Sequence, residues 1–129
     1  MAVIVNASNS VKADDYDVDA LKKIFLKQST AWPDKDKTEI TPYQLASGTD
    51  EADVFRKEVL GKDAKELSKY WSDKKADDGT SEPISKKTSD EIYKLVAKDA
   101  SAIGYINSSY YDGLTDEQKK AVKVLRTIG

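Results

Sequence analysis

The 129-residue chain contains no cysteine and no histidine. That removes thiol nucleophiles, disulfides, the usual zinc ligand sets and a Ser-His-Asp triad together. Arginine is nearly absent too: Arg56 and Arg126 are the only two, so bidentate clamps for oxyanions are scarce. No apolar run approaches the length that spans a membrane. No signal peptide is expected among these residues. Met1-Ala2 abuts a strand directly, as in an exported chain whose signal has been removed, or equally in a cytosolic one. The formal net charge is -2 and the lysines are interleaved with Asp and Glu, so no nucleic-acid footprint is expected.

What remains is a polar globular chain, 39% hydrophobic and 34% charged, of a length that suits one domain spanning residues 1–129. Val3-Ile4-Val5 reads as a short buried strand closed by the polar run 6–10. Residues 17–28 read as a helix, with Val18, Leu21, Ile24 and Phe25 on one face. Trp32-Pro33-Asp34 ends it, and residues 34–37 form a charged turn. Residues 38–45 read as a strand in which Pro42 argues for an edge position or a bulge. A helix over 50–60 buries Val54, Phe55 and Val59 and stops at Gly61. Asp63-x-x-Glu66 caps a third helix carrying Leu67, Tyr70 and Trp71.

Residues 77–87 read as a polar loop, and Thr88-x-x-Glu91 caps a fourth helix with Ile92, Leu95 and Val96 inside. Residues 102–107 form a strand, 115–120 begin as a helix, and 122–128 alternate like a strand. Phe25, Phe55, Leu95 and Ile103 are the expected core. Alternating strands and helices predict an α/β sandwich with a mostly parallel, mixed sheet and helices on both faces. Ligands in such folds gather beyond the carboxyl ends of strands. The polar turns at residues 6–10, 46–49 and 107–109 are expected to converge there.

The most informative of these turns is Ser47-Gly48-Thr49, between a strand and a helix. It offers backbone N–H groups and two hydroxyls to an anion. The same residue types are also ordinary helix caps. Two other groupings carry less. Asp14, Asp15, Asp17 and Asp19 suggest calcium, but an EF-hand loop from Asp15 needs Gly where Ala20 stands and Glu where Leu26 stands. No metal site is expected. Trp71 sits on an apolar helix face and reads as core, whereas Tyr110 and Tyr111, adjacent in an expected loop, cannot both face one core and offer a protein contact.

In order along the chain, Ile24-Phe25 with Trp32, then Ser47-Gly48-Thr49, then Ala102-Ile103-Gly104-Tyr105 resemble the phosphate-type substrate-binding proteins of ABC transporters. That family shows an IF-x-G-x-x-x-x-W stretch, an Arg-Ser-Asp-Gly-Ser-Gly-Thr turn and a PGAIGY segment. The resemblance runs from Val3 to about Tyr105 and implies one lobe of a type II periplasmic binding protein, since the family's receptors have two lobes and about twice this length. Tyr43 stands where the family's Arg is expected and Leu45 where its Asp is expected. The resemblance implies a non-enzymatic, periplasmic or extracellular domain without cofactor. Such a domain would take phosphate or another oxyanion weakly, for transport or sensing, with Ser47, Gly48, Thr49, Ser8 and Asn9 as ligand-binding residues. The alternative is an accessory protein-interaction module that kept the fold without ligand binding.

Overall fold

A computed structural model describes residues 1–33 and 37–128. The charged turn expected at 34–37 falls mostly outside these described residues. The strands are β1 (Ala2–Asn6), β2 (Thr41–Leu45), β3 (Ile84–Lys86), β4 (Ala102–Ile106) and β5 (Val122–Thr127). The helices are α1 (Val18–Phe25), α2 (Asp50–Phe55), α3 (Ala64–Asp78), α4 (Ser89–Lys98), α5 (Ser108–Asp112) and α6 (Asp116–Lys120). α2 continues into a π-helical turn, Arg56–Leu60.

The five strands form one mixed sheet in the order β3-β2-β4-β1-β5. β2 is parallel to β3 and β4, while β1 is antiparallel to β4 and β5. β1 therefore runs against the other four strands. Every residue of β4 is buried, as are residues 2–5 of β1, so both faces of the sheet are covered. Successive strand residues face opposite sides, and two neighbours of β4 show what lies on each. Gly104 faces α4: a Cβ there would come within 2.5 Å of Ile92 Cγ2. Tyr105 faces α1 and α2, stacking on Phe55 at 4.0 Å between centroids. The result is a three-layer α/β sandwich.

Phe25, Phe55 and Ile103 are buried, whereas Leu95 is only partly so and Tyr93, two residues before it, is buried instead. Val54, expected in the core, is 38% exposed. Adjacent helical residues are about 100° apart, and the face that packs is set by Phe55, Val59 and Leu60.

Several boundaries differ from expectation for identifiable reasons. α1 stops three residues before the expected end because Lys27 adopts a left-handed φ of 56°. Lys27 N–H then bonds Ile24 O, and Gln28 N–H bonds Lys23 O, which is a Schellman ending. The loop expected at 77–87 is confined to 79–83, because residues 77–78 end α3 and 84–86 form β3, an exposed edge strand too short and polar to show alternation. Pro42 lies in an interior strand, contrary to expectation. β3 pairs with β2 only from Tyr43 onward, so the ladder on that side does not reach Pro42. The caps behave as expected: Asp63 and Glu66 form a reciprocal capping box, and Thr88 accepts from Glu91 N–H at 3.2 Å.

Candidate functional site

β2 delivers its last buried residue, Leu45, to the sheet's end and releases the chain into Ala46-Ser47-Gly48-Thr49. The reversal needs Gly48, whose φ of 96° is strained for any side chain even though the space around it is open. Thr49 is the N-cap of α2. Its Oγ1 accepts from Ala52 N–H at 3.1 Å and donates to Ala46 O at 2.9 Å. Both of these bonds are internal, so the Thr49 hydroxyl is largely engaged in holding the turn. Ser47 is exposed and its hydroxyl makes no hydrogen bond among the described residues. Asp50 and Glu51 follow in the first turn of α2 and bring negative charge to the same place.

The turn after β4 meets the turn after β2. Asn107 caps α5 by accepting from Ser109 N–H at 2.8 Å, and its Nδ2 donates to Glu51 Oε1 at 2.8 Å. Asn107 N–H donates to Ser89 Oγ at 2.9 Å, tying in α4. Two of the three expected turns thus converge. The third does not. Because β1 is antiparallel to β4, its carboxyl end lies beside Ile103 and not beside Ile106. Ser8 and Asn9 are at the far end of the sheet, roughly 16 Å away for a five-residue strand. They serve local turns there: Ser8 donates to Asn6 Oδ1 at 2.6 Å, and Asn9 Oδ1 accepts from Val11 N–H at 3.1 Å.

Beneath the Ser47 turn is a cavity of about 290 Å³ between α2, α3 and the sheet. Leu45, Phe55, Leu60, Trp71 and Tyr105 form its apolar side, and Ser47 stands at its border. Arg56 lines it as well, at the point where α-helix gives way to the π turn. Its side chain is only 17% exposed. Nη1 donates to Asp53 Oδ1 at 2.9 Å, while Nε is buried with no hydrogen-bond partner among the described residues. The sequence presents Arg56 only as one of two scattered arginines. The π turn that tucks it inward leaves no pattern in the residues. Burial pushes the Tyr105 phenol well above its ordinary range, so it stays neutral.

Tyr110 and Tyr111 lie on α5, not in a loop, and both are half-buried. Tyr110 Oη donates to Asp90 Oδ1 at 2.7 Å, and the Lys119 ammonium sits 5.3 Å from the Tyr111 ring. Asp17 caps α1 by accepting from Ala20 N–H at 2.9 Å, which accounts for one acid of the Asp14–Asp19 cluster.

No protein-family model matches the chain, and no curated protein matches it. Solved structures do. A candidate phosphate ABC transporter substrate-binding protein from Clostridium perfringens, with bound phosphate, is 25% identical with a TM-score of 0.69; the match covers 95% of this chain and 42% of that one. A possible phosphate-binding protein from Planctomyces limnophilus is 18% identical with a TM-score of 0.66, covering 95% and 39%. An ABC-type phosphate transport receptor from Vibrio cholerae is 18% identical with a TM-score of 0.64, covering 95% and 43%. The chain spans less than half the length of each of these proteins. In its fold, then, this chain is similar to one lobe of the phosphate-type substrate-binding proteins of ABC transporters.

Proposed function

We propose that the chain is a non-enzymatic solute-binding domain, periplasmic or extracellular, that takes phosphate or another oxyanion weakly at Ser47, Gly48 and Thr49. The observation that carries this reading is the match of 95% of the chain to one lobe of phosphate-binding proteins. Locally, the reading is supported by an exposed Ser47 hydroxyl beside an open glycine turn. The binding is weak for three physical reasons. The Thr49 hydroxyl is engaged in capping. Asp50 and Glu51 repel an anion. Taken by itself, residues 1–129 leave a ligand at this turn in contact with water, where each charge contact is worth little.

Calorimetry across variants tests this. Ser47→Ala combined with Thr49→Ala should abolish the response to phosphate and sulfate, and Asp50→Asn should strengthen it. Equal affinity in all of these proteins would show that the turn is not the site. Thr49's internal hydrogen bonds favour one other reading. In it the fold is kept as an accessory module without ligand, meeting a protein partner around Tyr110 and Tyr111. A double variant at the turn that loses only about 1 kcal/mol of stability, with no anion response in either protein, would support that alternative.

A further inference from the structure

We propose that the cavity beneath the Ser47 turn binds a small organic carboxylate with an apolar body, and that Arg56 recognises its charge. This goes beyond oxyanion binding at the turn and does not depend on it. The guanidinium carries five donors. One is taken by Asp53, whose own side chain is 47% exposed, so that pair is screened by water. Nε is enclosed without a partner among the described residues. A buried, unpaired donor on a charged group is a standing cost; Nε has almost no accessible surface, so a ligand in the cavity reaches it only if the Arg56 side chain turns outward. Arg56 sits at a π turn, a distortion that recurs at functional sites.

The cavity decides the kind of partner. Its 290 Å³ is close to the lower end of small-ligand pockets, roughly 300–1,000 Å³, and so suits a small ligand. The apolar side made by Leu45, Phe55, Leu60, Trp71 and Tyr105 would gain nothing from free phosphate. One guanidinium and the hydroxyls of Ser47, Ser68 and Ser85, with Gln44 Nε2 already bonded to Pro83 O and Ser85 Oγ, are also too few donors to replace a phosphate dianion's hydration. A carboxylate is planar and monovalent, and it matches the guanidinium fork. Attached to a ring or branched chain, it would place its charge on Arg56 and its body against Trp71 and Tyr105. Glu82 also borders the cavity, but it is exposed and its charge is screened by solvent.

The test uses the whole chain and three probes: benzoate, its neutral counterpart benzamide, and inorganic phosphate. Trp71 borders the cavity, whereas Trp32 is buried elsewhere with its indole N–H on Ser101 O, so the two indole resonances give a signal and an internal control. Benzoate should shift the Trp71 indole and leave Trp32 still, with benzamide about tenfold weaker, the fold-change expected for one charge-assisted contact. Arg56→Gln should weaken benzoate about tenfold and leave benzamide unchanged. If that variant fails to fold, Ser68→Phe decides the matter. Ser68 is an exposed residue of α3 at the cavity border, so a ring there obstructs the cavity while keeping Arg56, and the benzoate response should vanish. Equal affinity for benzoate and benzamide, an unmoved Trp71 at about 10 mM benzoate, or an unchanged response in Ser68→Phe would each overturn the proposal. Phosphate shifts at residues 47–50 without benzoate shifts at Trp71 would sink the cavity site and leave the turn standing; the opposite pattern would do the reverse.

Discussion

Phe55→Ala removes the ring that joins the helical layer to the sheet. Phe55 is 2% exposed, packs edge-on against Phe25 at 4.8 Å and stacks on Tyr105 at 4.0 Å with an interplanar angle of 8°. Truncating a buried Phe costs about 3–5 kcal/mol, and part of that here is two aromatic contacts worth about 0.5–1.5 kcal/mol each. Phe55 also borders the open cavity, so water can enter the space it vacates. The cost should therefore fall near the lower end, about 3–4 kcal/mol. At about 2.1 cal/mol/K per residue over 129 residues, the melting entropy is roughly 0.27 kcal/mol/K, and Tm should drop by about 11–15 °C. Phe25→Ala, which lies away from the cavity and is 1% exposed, should cost more. Urea unfolding followed by circular dichroism measures both. A loss below about 1 kcal/mol for Phe55→Ala, within the range of surface substitutions, would refute this account of the packing.

Lys27→Gly should stabilise by about 0.5–1 kcal/mol, because Lys27 holds φ 56° at a Schellman position where glycine adopts that conformation without strain; a destabilised variant in the same unfolding assay would contradict this. Gly104→Ala should cost about 1–3 kcal/mol by pressing on Ile92, and the cost should shrink in an Ile92→Ala background; an unchanged cost there would place the strain elsewhere. The hydrogen bond from Tyr110, and then Lys94, holds Asp90 below its ordinary 3.8. A lowered folded value means that the pairing stabilises above about pH 3.8 and is lost as pH falls through the folded value. The stability difference between wild type and Tyr110→Phe should be present at pH 6 and shrink in that acid window, and a difference that persists at about pH 2 would assign it to ring packing instead.

The parts of the fold set by local chemistry can be read directly from the residues. Asp63 with Glu66, Thr88 with Glu91, and Gly61 each act on the backbone within one turn, and each sits where that chemistry puts it. The buried strands at Val3-Ile4-Val5 and residues 102–106 are apolar enough to identify themselves. What stays hidden depends on partners distant in sequence. Ile84–Lys86 becomes a strand only because β2 pairs with it. The direction of β1 is set by its neighbours, and that direction alone places Ser8 and Asn9 at the other end of the sheet. At the candidate site, the Ser47–Thr49 turn is visible from its residue types. Thr49's double engagement and Arg56's enclosure follow from packing and have no counterpart in a motif.

The central claim is that this single lobe takes an oxyanion weakly at one turn. A phosphate titration of the monomer, followed by amide chemical shifts residue by residue, tests it most directly. The account predicts shifts concentrated at residues 47–50, saturating with a Kd no tighter than about 0.1–1 mM, equivalent to roughly 4–5.5 kcal/mol. No shift at those residues at millimolar phosphate, or a micromolar Kd for a protein shown to be monomeric, would contradict it.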